Sequence, residues 1–196
     1  ISEVLSNAGD YTATLACSGA ADTNLTDGVT IDAADTAITC TQTNTRKSVT
    51  LTLVKTWANA RNGETATVSS SGFGNNATTG LSTSTGNNTT TGTAVTVYAG
   101  ESGSITEAFG VGSAANYTAS LSCTGNTQAL SGSTLTVDPA DTAITCTETN
   151  TRKFATLTLK KTWAANSKAG DTTTVTSSGF TNNASSGLST ATAAGN

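Results

Sequence analysis

The 196-residue sequence has no histidine, no methionine, a single proline and nine aromatic residues, and only 11% of it is charged. The absence of histidine removes most general-base, triad and zinc chemistry. No nucleophile–base pair, phosphate-binding loop or cofactor fingerprint stands in its place, so neither a cofactor nor a resident metal is expected. Nine basic residues against thirteen acidic ones, a net charge of −4, argue against a nucleic-acid partner. No apolar run approaches the length of a bilayer-crossing helix, so no membrane span is expected. Leu, Ile, Val and Phe number only 31, below the usual floor for a globular chain. Scarcity of large apolar residues points toward disorder, but compositional disorder also wants a high net charge, which is missing.

What fills the chain instead is 45 Thr, 22 Ser, 16 Asn and 19 Gly, just over half of all residues. Threonine is β-branched and suits a pleated surface, so a Thr-rich, charge-poor chain can be well ordered. The expected class is all-β and extracellular in type. The sequence opens on Ile1 without a signal segment, and the expectation is a mature segment or a window of a longer chain.

The strongest internal signal is a repeat. DTAITCTQTNTRK at 35–47 returns as DTAITCTETNTRK at 141–153, and LTLVKTW at 51–57 returns as LTLKKTW at 157–163. Cys17 and Cys123, Cys40 and Cys146, Lys55 and Lys161, and Trp57 and Trp163 share one offset of 106 residues. A constant register of this kind predicts tandem homologous modules. One complete module is expected over 48–153, with 1–47 matching its back half and 154–196 its front half. Nothing at either end corresponds to GTAVTVYAGES at 92–102.

Period-two alternation predicts strands at 11–17, 36–43, 48–57, 64–71, 93–98, 104–109, 117–123, 133–137, 142–149, 154–163 and 171–177. No segment carries a helical stripe. About seven short strands per module suggests an immunoglobulin-sized sandwich.

Strand phase then singles out three polar residues. Lys55 shares a face with Leu51, Leu53 and Trp57; Glu107 shares one with Ile105 and Phe109; Asn150 shares one with Ile144 and Cys146, two residues beyond Glu148. Alternating side chains fix these assignments together with those of the apolar neighbours. Polar groups on core faces are costly unless they meet one another. One reading is a buried ion pair beside a hydrogen-bonded Asn. The other is an autocatalytic Lys–Asn isopeptide bond, in which burial frees the amine as a nucleophile and favours a neutral carboxyl able to shuttle protons while ammonia leaves.

The motifs LTLVKTW, SITEAF and AITCTETNTRK resemble the first, glutamate-bearing and last strands of prealbumin-like modules, the B-type repeats of bacterial pilins and collagen adhesins. The resemblance extends over the 106-residue module. It implies a tandem prealbumin-like β-sandwich in which Lys55 bonds to Asn150 with Glu107 assisting. The corresponding residues at the two ends are Lys161, Glu3 and Asn44.

Four cysteines allow three pairings, and the repeat favours Cys17–Cys40 and Cys123–Cys146. Buried free thiols are the alternative. Disulfides would indicate an oxidising compartment. The Asp32/Asp35 and Asp138/Asp141 pairs read as turn residues or calcium ligands. Threonine rows read as solvated strand faces or as a flat face for ice or carbohydrate, and Asn24, Asn87 and Asn116 open sequons.

The expected function is therefore structural: a building block of a bacterial extracellular fibre or surface stalk, made of cross-linked repeats. Beyond single-turnover self-cross-linking, no enzyme activity is expected. Its partners would be neighbouring identical repeats. They would adjoin in a longer chain, or the back half of one subunit would combine head to tail with the front half of the next. The alternative function is a ligand-binding adhesin module aimed at a glycan or host protein. The loops that differ between repeats, 19–28 and 125–132, carry no aromatic cluster for such a ligand.

Overall fold

A computed structural model describes residues 1–26, 28–180 and 182–192. Asp27 of the 19–28 loop, Thr181, and positions 193–196 at the end of the expected front half lie outside the described residues. The chain divides into two compact units, Ile1–Lys153 and Phe154–Asn196.

The architecture is all-β. In the first unit the strands are β1 (Tyr11–Ser18), β2 (Thr39–Arg46), β3 (Ser48–Ala58), β4 (Thr65–Ser71), β5 (Ser82–Thr83), β6 (Asn88–Thr91), β7 (Val95–Tyr98), β8 (Ser102–Val111), β9 (Tyr117–Thr124), β10 (Thr134–Thr136) and β11 (Ile144–Arg152). The second unit has β12 (Thr172–Thr173) and β13 (Ser189–Thr190). Two three-residue 3-10 turns, Ala8–Asp10 and Ala114–Asn116, are the helical elements among the described residues. None is long or apolar enough to cross a membrane.

Residues 48–153 form a β-sandwich-like pair of sheets. One sheet has the order β6-β3-β11-β9, with β7 also paired to β3; the other has the order β10-β8-β4-β5. The first and last strands of this segment, β3 and β11, lie side by side and parallel. Period-two alternation is what makes both sheets bury one face. Leu51, Leu53, Ile144 and Cys146 from one sheet meet Val68, Ile105 and Leu135 from the other in the main core. Trp57, Ala60, Ala66 and Tyr117, with Phe109 packed on them, make a second cluster. On β11 the threonines 145, 147 and 149 alternate with the buried residues and stay half-exposed. Within 48–153 the core side chains thus line a thin interior, and on β11 threonine forms the outer face.

Residues 1–47 form a two-stranded hairpin, β1 paired antiparallel with β2. Arg46 secures it to the sandwich, donating from Nε and Nη2 to the Ala99 carbonyl at 2.9 and 2.6 Å and stacking over the Tyr98 ring at 5.6 Å. Details of the 48–153 segment recur here. Gly19 and Gly125 both adopt positive φ, +80° and +83°, just after β1 and β9, where a Cβ would strike the carbonyl of Ala37 or Ala143. Only glycine fits such a turn.

Strand bounds differ from the expectation in several places. The 36–43 strand begins at Thr39 and runs to Arg46, and 171–177 contracts to Thr172–Thr173. The expected strand at 154–163 is not one: these residues join no ladder. Their counterpart β3 is bordered by β11, β6 and β7, whereas 154–163 has no neighbouring strand among the described residues to satisfy its amides and carbonyls. The short strands β5 and β6, missed by periodicity, lie in Ser/Asn/Gly-rich sequence where apolar alternation is absent.

Candidate functional site

The parallel ladder between β3 and β11 sets Lys55 opposite Glu148 and Trp57 opposite Asn150. β8 faces them from the second sheet and brings Glu107 across the sandwich. Lys55 is fully buried, and its Nζ lies 3.1 Å from Glu107 Oε1. Asn150, equally buried, donates from Nδ2 to Glu107 Oε1 at 2.8 Å and to Oε2 at 3.0 Å. The amine and the amide nitrogen therefore converge on one carboxylate oxygen. Nζ also donates to the backbone carbonyls of Thr56 at 3.0 Å and Glu148 at 3.4 Å, and sits over the Trp57 ring, 4.5 Å from its centroid.

Aromatic side chains pack around this cluster. Trp57 makes edge contacts with Phe109 and Tyr117 at 5.8 and 5.5 Å, and its indole nitrogen donates to Ser82 Oγ at 2.9 Å. Tyr117 donates to Glu64 and accepts from the Arg61 amide. Burial pulls the Lys55 amine below its ordinary value of 10.5, opposed by the carboxylates of Glu107 and Glu148. Burial pushes the Glu148 carboxyl above 4.5, the neighbouring Glu107 charge adds to the rise, and Lys55 works against it. The Asn150 Oδ1 is buried with no hydrogen-bond partner among the described residues. The group can thus bring an amine, a carboxamide and a carboxyl together in a largely buried site, the reactants and proton carrier of amide exchange.

Lys55, Glu107 and Asn150 converge as their strand phase suggested. Phase also marked Trp57 and Glu148 as facing the same interior, and the structure places both against Lys55. The Tyr117–Glu64 pair had no local signal, because its members are 53 residues apart.

The positions matching this triad elsewhere show parts of the same geometry. Asn44 Nδ2 donates to Glu3 at 2.6 Å, and its Oδ1 is likewise buried without a partner. In the second unit Lys161 Nζ donates to the Thr162 carbonyl at 2.8 Å and lies 3.9 Å from the Trp163 ring centroid.

Both cysteine pairs are disulfides, Cys17–Cys40 and Cys123–Cys146, each joining residues directly opposite on adjacent strands. The aspartate pairs hold loops: Asp141 accepts from the amides of Thr127 and Asp138, and Asp35 accepts from those of Ala21 and Asp32. Among the described residues no group of three or more potential ligands could hold a metal. Of the sequon residues, Asn24 accepts through Oδ1 from the nearby Thr26 amide, and Asn87 accepts through Oδ1 from the Asn59 amide, 28 residues away. No protein-family model matches this chain, and no curated protein matches it in sequence.

Proposed function

We propose that this protein is a structural repeat unit of a bacterial extracellular fibre or surface stalk, built from tandem prealbumin-like sandwiches of about 106 residues and locked by a Lys55–Asn150 isopeptide bond. The observation that carries this reading is the shared contact of Lys55 Nζ and Asn150 Nδ2 with Glu107 Oε1 inside an apolar enclosure. Glu107 takes the Lys55 proton; a half-turn of the Asn150 amide then lets the protonated carboxyl donate to Oδ1 and polarise the carbonyl. The neutral amine attacks Cγ, Glu107 passes its proton to the Asn150 nitrogen, the bond from Cγ to that nitrogen breaks to release ammonia, and Glu107 takes up the second proton that the Lys55 nitrogen loses as the amide forms. Amine and carboxamide become a secondary amide plus ammonia, with no oxidant or cofactor.

Two disulfides support an oxidising location such as the cell exterior. A covalent tie between the parallel first and last strands would carry tension across the sandwich without relying on its small core. Intact-mass measurement under denaturing, reducing conditions tests the bond. The expected result is a mass lower by one ammonia, restored to the full value in Lys55→Ala. An unshifted mass in the parent protein would overturn the cross-link.

A further inference from the structure

The hairpin of residues 1–47 and the unit of residues 154–192 each repeat several contacts of the 48–153 sandwich. In the hairpin, the disulfide, the Asn44–Glu3 hydrogen bond and the Asp35 clamp repeat those of Cys123–Cys146, Asn150–Glu107 and Asp141. In the second unit, Trp163 donates to Ser189 as Trp57 does to Ser82, the Val175 amide donates to Ser186 as Val68 does to Thr79, and Ser177 bonds Ala184 as Ser70 bonds Ala77.

What each side lacks is the other. No described residue of 1–47 is buried, and of 154–192 only Ala191 is. Among the described residues, β2 has β1 on one edge and no strand on the other. Residues 154–163 have no ladder partner among the described residues, and Phe154 and Leu157 are 95% and 47% exposed. In the 48–153 sandwich the matching edge of β11 is covered by β3, and Leu51, Leu53, Ile144 and Cys146 are sealed between the sheets.

We propose that residues 154–163 of one copy dock as a parallel strand on the free edge of β2 in a second copy, with the second unit covering the hairpin's inner face. Shifting the observed β3–β11 register by the repeat offset pairs Leu157 with Ile38, Lys161 with Gln42 and Trp163 with Asn44. The occupant is identified by this internal template: the chain itself displays which sequence covers such a face. The contact is heterologous, so it propagates from copy to copy.

Docking brings Lys161 to Glu3 and Asn44, completing the triad whose parts are already posed. A covalent step here rests on the cross-linking proposed above; the docking does not. In that step Lys161 Nζ bonds to Asn44 Cγ, the amide nitrogen leaves as ammonia, and Glu3 relays the proton.

Sedimentation of the full chain over a concentration series, with Ile38→Asp and Leu157→Asp variants, tests the interface. The parent protein is expected at multiples of the single-chain mass and each variant alone at one chain mass. An equimolar mixture of the two should give a dimer and nothing larger, since each supplies only one intact face. A parent protein that stays monomeric, a single variant that still assembles, or a mixture that yields no dimer overturns the docking. On a denaturing, reducing gel the parent should form a ladder that Lys161→Ala abolishes without dispersing the sedimenting multimers. Multimers without a ladder sink the Lys161–Asn44 bond alone. The mass of the monomeric Leu157→Asp variant reports the Lys55–Asn150 bond separately.

Discussion

Lys55 Nζ lies 3.1 Å from Glu107 Oε1, and that lysine is completely enclosed. An ammonium withdrawn from water this far depends on its partner carboxylate, because desolvation opposes the charge and the ion pair sustains it.

The rate of cross-linking should rise with pH. Burial holds the Lys55 amine below 10.5, so the neutral nucleophile becomes available at a lower pH than on a free lysine. Chain assembled by chemical ligation, held in denaturant and so never cross-linked, should on folding at a series of pH values lose ammonia faster as pH increases, levelling off before 10.5. The linkage has the same sign. The folded state disfavours the ammonium, so the unlinked protein gains stability as pH climbs from the depressed value toward the unfolded one. A rate that falls with rising pH would contradict this.

Glu148→Gln should move that pH profile to lower pH. The Glu148 charge helps keep Lys55 protonated, and removing it deepens the depression caused by burial. Position 42 of the hairpin, its counterpart, is already Gln. The Glu148 carboxyl is raised above 4.5, so its contribution to stability is full below 4.5 and is lost as pH rises through the raised value. The variant should therefore be more resistant to denaturant than the parent at neutral pH. A profile displaced upward, or unchanged resistance, would refute the assigned roles.

Replacing Cys123 and Cys146 together by Ser should destabilise the 48–153 sandwich by about 2–4 kcal/mol, the usual range for a loop of this size. The bridge spans 23 residues and joins β9 to β11, the strand that bears Asn150. Chemical denaturation followed by Trp fluorescence measures the effect; coincident curves for variant and parent would show that the disulfide adds nothing.

Trp57→Ala should cost about 3–5 kcal/mol, the range for deleting a buried aromatic. Trp57 is 1% exposed, packs on Phe109 and Tyr117, and bonds Ser82. It also roofs the Lys55 amine, so the same variant should slow ammonia loss by admitting water. Unchanged kinetics in a folded Trp57→Ala protein would show that the indole only packs.

Much of this architecture was legible in the amino-acid order. Alternation in SVTLTLVKTW and AITCTETN located β3 and β11 and put Lys55 and Asn150 on inner faces. The repeat favoured the disulfide pairing that the structure shows. These features are local or periodic, and a strand's two faces are fixed by its own sequence.

Partnership was not legible. LTLKKTW at 157–163 alternates as well as LTLVKTW at 51–57, yet the second is a strand and the first is not, because a strand exists only with a neighbour to accept its hydrogen bonds. Nor could composition reveal that Glu148 stands beside Lys55, that Tyr117 reaches Glu64, or that one carboxylate oxygen receives both Lys55 and Asn150. The sequence determined which side chains turn inward; only the packing of one sheet against the other decided which of them meet, since contacts across a sandwich join residues far apart in the chain.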